Sequence, residues 1–132
     1  MIISELVFWG CFGLIVEICF TSIKNVIIKR ELNFIGHTSL IMFPIYSLGL
    51  SYGFDFILWL IEENVIRYLS YPLWIWLVEI IVGIPLRKKN ILAWDYNYLP
   101  SYLHWNGIIS FVHYPLWVLF GILVETIKSN VI

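Results

Sequence analysis

Four apolar runs, each roughly 20 residues long, occupy most of this 132-residue chain, and their length constrains the fold more than any single motif. A helix rises 1.5 Å per residue, so such a run covers the roughly 30 Å hydrocarbon core of a bilayer. The runs predict helices over 2–23, 38–61, 68–86 and 107–127, joined by a loop at 24–37, a polar link at 62–67 and a long loop at 87–106. Composition points the same way. With 61% hydrophobic and 13% charged residues and a mean hydropathy of +0.86, the chain has too little polar surface to cover a soluble globule. The expected fold class is all-α, an integral membrane four-helix bundle forming one domain over 1–132.

Charge sets the expected orientation. Lys24, Lys29 and Arg30 lie in the first loop and Arg87, Lys88 and Lys89 in the third, against Arg67 and Lys128 on the opposite side. The positive-inside rule then places loops 24–37 and 87–106 in the cytoplasm and both termini outside. The start, MIISEL, has neither a positive flank nor a following small-residue cleavage site, so the first run is expected to be a retained helix. A net charge of -1 without a basic tail argues against nucleic-acid binding. Cys11 and Cys19 are about 12 Å apart along one helix, too far for a mutual disulfide.

The halves of the chain echo one another. Gly36, Ser39, Pro44 and Tyr46 recur as Gly107, Ser110, Pro115 and Trp117 at an offset of 71, and LIVEI around Glu17 recurs as WLVEI around Glu79 at an offset of 62. The nine-residue difference is an insertion in the third loop, which holds Trp94, Asp95 and Tyr96. Each half reads as one helical hairpin, 1–62 and 63–132. Two such hairpins have the same topology, a parallel pseudo-repeat about an axis along the membrane normal.

Helical spacing collects small and polar residues on one stripe of each helix: Gly10, Gly13, Glu17, Thr21 and Lys24; Ser47, Ser51 and Asp55 beside a Gly49/Gly53 pair; Pro72, Trp76, Glu79, Gly83 and Arg87; and Tyr114, Trp117, Gly121 and Glu125. Between lipid-solvated helices such stripes mark the contacts. An ionisable group at a helix centre costs about 2.5–3.5 kcal/mol on insertion scales and faces a bundle interior, a cavity or a partner. Glu17 and Glu79 are therefore the leading candidates for an ion or substrate site, with His113, Asp55 and Glu125 as further members. The alternative is a pair of protonated glutamates hydrogen-bonded across the bundle.

Metal and covalent chemistry have less support. His37, His104 and His113 are far apart and form no paired-ligand motif, and no nucleophile elbow, CxxC pair or phosphate loop is present. No metal or cofactor is expected.

The GLIVEICFT run around Glu17, Gly36 with Thr38 and Ser39 leading to Ile45 and Tyr46, WLVEIIVG around Glu79, AWDY at 93–96 and the following NGIIS, Pro115, Trp117 and Gly121 resemble the transmembrane protein 229 family and the bacterial CmpB-type proteins labelled as ABC-transporter permeases. The resemblance covers nearly the whole chain and implies a multi-pass membrane protein. The bacterial proteins read GPxxPIYG at the start of the second helix, whereas here Gly36 is followed by His37, Thr38 and Ser39, and Pro44 by Ile45, Tyr46 and Ser47. The leading expectation is a small transport component in the lipid bilayer, as a homodimer or within a larger membrane complex. Two alternatives stand beside it. One is a membrane-embedded enzyme or lipid-head-group binder using Asp95 and His104, in the Trp94–Tyr96 loop, with the lipid-facing basic residues Arg87, Lys88 and Lys89. The other is an accessory subunit.

Overall fold

A computed structural model describes residues 2–30 and 32–131 of the protein. The chain is mostly helical: α1 (Ile2–Lys29), α2 (Met42–Leu60), α3 (Asn64–Lys88) and α4 (Tyr114–Val131), with a small antiparallel hairpin, β1 (His104–Trp105) and β2 (Ile109–Ser110), between α3 and α4. The first three helices are long and apolar enough to cross a membrane. Large apolar side chains such as Ile3, Ile27, Trp59, Ile81 and Leu119 stand exposed along the helices, as lipid-facing side chains would. The chain forms two compact units, residues 1–55 and 56–132.

In the first unit α1 runs six residues past its expected end at Ile23. Asn25 Nδ2 donates to the Ile35 carbonyl 3.1 Å away, Lys29 lies in the last turn, and the left-handed Arg30 (φ 55°) stops the helix. Lys24 is therefore helical, and Glu17 lies roughly 18 Å from the helix end. Against α1 packs α2, which begins at Met42, four residues later than expected, and contains a π-helical turn at Gly49–Gly53.

The helix contacts of the first unit follow the small residues of α1. A methyl group on Gly10 would strike the Phe43 ring, and one on Gly13 would fall on Tyr46 at its Cβ and Cγ. Ser47 Oγ donates to the Leu6 carbonyl at 2.7 Å, while the Thr21 hydroxyl accepts from His37 N at 2.7 Å. The second bond satisfies a main-chain N–H of the connection, a strict requirement in a low-dielectric medium, while the first adds a second donor to a carbonyl inside α1. The Gly49/Gly53 pair behaves differently from the expected packing motif: added Cβ atoms there would meet nothing within 4 Å, because both residues bracket the π turn.

In the second unit α3 starts at Asn64, so most of the expected 62–67 link is helical. Glu63 caps it, its carboxylate accepting from Val65 N at 3.2 Å and Ile66 N at 2.7 Å. Glutamate is not among the favoured N-cap residues, which hid this start. At the other end Asn90 takes φ 59°, with Asn90 N bonded to the Arg87 carbonyl and Ile91 N to that of Leu86, a Schellman closure. α4 packs on α3 with Gly121 against the fully buried Tyr71 ring, and Tyr114 Oη donates to the Leu69 carbonyl at 2.6 Å.

The last helix begins seven residues later than expected. Residues 107–113 belong instead to the hairpin and the turn after it, a small strand element in a mostly helical chain. Asn106 (φ 51°) and Gly107 (φ 70°) form a tight turn closed by Ile108 N donating to the Trp105 carbonyl at 2.9 Å. Two consecutive positive φ values are the requirement that Asn-Gly meets in hairpin turns.

Candidate functional site

Glu17 projects from the middle of α1 and is half-buried. Its Oε1 accepts a 2.5 Å hydrogen bond from the Tyr46 hydroxyl of α2, at the short end for an O–H donor on a carboxyl group. Gly13, one turn earlier on α1, lets the Tyr46 side chain lie flat on the helix and so aims the phenol at the carboxyl group. No ion pair involves Glu17 among the described residues, and the nearest base on its own helix, Lys24, is two turns away. This is an acid in an apolar helix held by a neutral donor.

Glu125 contrasts with it. On α4 it faces Arg67 of α3, whose Nε and Nη2 reach its two oxygens at 3.0 and 2.5 Å, and the Tyr71 hydroxyl adds a 2.5 Å bond. The remaining guanidinium hydrogens go to the Ile61 and Glu62 carbonyls and to Asn64 Oδ1. The side chains of the pair are 6% and 15% exposed. Every donor of Arg67 is thus committed, and Glu125 serves as the anchor of the α3–α4 pair. The sequence placed Arg67 in a link and did not offer it as a partner, since 58 residues separate the two.

The other proposed site residues divide between the units. Asp55 is exposed, while Ser47 and Ser51 of its expected stripe are buried. Glu79 is half-buried on α3, with Oε1 enclosed. His113 lies just ahead of α4; its Nδ1 is 2.5 Å from the fully buried Ser110 Oγ, and its ring stands 5.4 Å from that of Tyr96 and 6.2 Å from that of Trp117. Trp117 is buried, and its Nε1 meets no acceptor among the described residues. Both cysteines are free thiols on exposed faces.

The inserted loop is built around Arg87. Its Nη2 donates to the Trp94 and Gly107 carbonyls, each at 3.0 Å, and to Asp95 Oδ1 at 3.3 Å. Asp95 is 40% exposed, so the ion pair itself adds little, and the carbonyl bonds fix the loop. Asp95 Oδ1 is further occupied by Asn97 N and Nδ2, Trp94 Nε1 donates to the Ile108 carbonyl, and His104 Nδ1 accepts from Gly107 N. Trp94, Asp95, Tyr96, His104 and Arg87 therefore come together, but as a clasp on the Asn106–Gly107 turn. Of the basic triplet, Lys88 and Lys89 remain exposed. Among the described residues no group of three or more His, Cys, Asp or Glu side chains is placed to hold a metal ion.

The turn is the point at which this clasp is most sensitive. A methyl on Gly107 would lie 2.6 Å from Asn97 Nδ2 and 2.7 Å from Asp95 Oδ1, at a φ that L residues avoid. Gly107→Ala is expected to weaken the loop by about 1–2 kcal/mol. Faster amide hydrogen exchange at Tyr96 and Ile108, whose N–H groups bond to Gly107 and Trp105, is the readout; unchanged protection would show that the turn tolerates a side chain.

No family model matches the chain, and no solved structure matches it.

Proposed function

We propose that the protein is a small multi-pass membrane component of a transport system, in which Glu17 and Glu79 provide carboxyl groups that bind a proton, a cation or a small polar solute. The observation that carries this reading is the contrast between the two bonded acids. Glu125 is paired with a base, whereas Glu17, in the middle of a helix long and apolar enough to cross a membrane, is bonded to a hydroxyl, with Lys24 two turns away as the charge that acts on it. An intramembrane acid with no base bonded to it is costly to keep ionised, and exchangeable cations or protons are what such groups bind.

The repeat supports a second, related half-site. In the first unit residue 21 meets residue 37; in the second a Cβ on Gly83 would lie 2.9 Å from Ile108 Cγ2, the same offsets of 62 and 71. Trp9 and Tyr71, also 62 apart, are both wholly buried. By the same offsets Glu79 stands for Glu17 and Trp117 for Tyr46, and Trp117 presents an enclosed N–H donor where a solute or its water would accept. The reading takes α4 as a fourth span, with both termini outside the cytoplasm. The sequence resemblance to permease-labelled families leads in the same direction.

The test is flux in proteoliposomes containing the full chain together with whatever membrane partners co-purify with it. Glu17→Gln and Glu79→Gln should each abolish proton- or cation-dependent uptake while leaving expression and elution intact, and Glu125→Gln with retained folding should not. Wild-type flux in both glutamine variants rejects the proposal.

A further inference from the structure

We infer that the cytoplasmic-side end of α3, with the loop clasped onto it, is a binding site for an anionic phospholipid head group, carried by Lys88 and Lys89. It rests on α3 crossing a membrane, and it stands whether or not Glu17 and Glu79 move a solute. Arg87 and Asp95 neutralise one another and spend their polar atoms inside the loop, which leaves Lys88 and Lys89 as the uncompensated charges of the 87–113 segment. Both lysines are exposed, and neither has an ion-pair partner among the described residues.

What surrounds them suits a lipid surface. Arg87 bonds the Gly107 and Trp94 carbonyls, so the Trp105–Ile108 turn is pinned to the last turn of α3 beside the two lysines. That puts Trp105 (41% exposed) on the same end, and the chain leading to it carries Tyr102 (78% exposed) and Leu92 (61% exposed). Exposed tryptophan and tyrosine belong at the head-group level of a bilayer, and lysines beside them at a helix end attract anionic lipid. The Schellman closure at Asn90 turns the chain sharply after Lys89, which keeps the lysines at the level of the aromatic loop. The charge complements a phosphodiester, and the apolar rim accommodates the glycerol and upper acyl region of one lipid molecule.

Full-length protein released from nanodiscs of equimolar phosphatidylglycerol and phosphatidylcholine, read by native mass spectrometry, tests the site. Wild type should retain phosphatidylglycerol preferentially, and the preference should weaken as salt rises. Lys88→Gln with Lys89→Gln should lower the phosphatidylglycerol-to-phosphatidylcholine ratio of bound lipid by up to about fivefold per lysine at low salt. Lys29→Gln with Arg30→Gln removes the same charge from the end of α1 and should leave the ratio near wild type. An unchanged ratio in the Lys88/Lys89 variant, or an equal fall in the Lys29/Arg30 variant, overturns the assignment. Both lysines are exposed, and monodisperse elution verifies that the variants remain folded.

Discussion

Arg67→Met is expected to destabilise the protein by about 3–5 kcal/mol, the largest loss from any single polar substitution in the second unit. The guanidinium is the only countercharge bonded to Glu125 among the described residues, and it also holds the Ile61 and Glu62 carbonyls and Asn64. Removing it leaves a half-buried carboxylate bonded to Tyr71 without a base, and open carbonyls. The effect comes from stranding the acid more than from the pair's own attraction, since forming a buried pair is largely offset by desolvating both ions. Arg67→Met combined with Glu125→Leu should therefore recover much of the loss. Thermal unfolding of the full chain in one detergent, followed by tryptophan fluorescence, makes the comparison. If the double variant is no more stable than Arg67→Met alone, the stranded-charge account fails.

Gly13→Ala is expected to cost about 1–3 kcal/mol through overpacking and, in addition, to break the Glu17–Tyr46 bond. The added methyl would fall on the root of the tyrosine side chain, which a rotamer change does not move away, so α1 and α2 must separate or Tyr46 must leave. Tyr46→Phe separates the two consequences: it removes the hydroxyl from Glu17 and keeps the ring against Gly13. Unfolding in detergent should show Gly13→Ala well below both wild type and Tyr46→Phe. Equal midpoints for the two variants would mean that the close approach at Gly13 contributes nothing beyond the hydrogen bond.

Much of this architecture was legible in the amino-acid order, and the exceptions have physical causes. The apolar runs located all four helices because length and hydrophobicity are local properties of the chain, and three of the four are long and apolar enough to cross a membrane. Helix ends were less legible. α1 continues through Lys24 to Lys29 because Asn25 finds an acceptor at Ile35, ten residues on, and α3 starts early on a glutamate cap. The late start of α4 was readable and missed: Asn106–Gly107 is a strong hairpin-turn dipeptide, but it lay at the edge of an apolar run and was absorbed into it. The partners of the candidate acids were not legible, because Tyr46 is 29 residues from Glu17 and Arg67 is 58 from Glu125. Periodicity reports which face a residue shares, not which side chain from another helix meets it.

The wide turn at Gly49–Gly53 lies between Ser47, which is buried, and Asp55, which is exposed. A π turn accommodates one more residue than the α turn it replaces. The segment therefore acts as a phase-preserving splice, in which one extra residue is absorbed within a single turn. Deleting one residue between 49 and 53 is expected to restore a uniform α-helix and to leave Asp55 within about 20° of its present angle about the axis relative to Ser47.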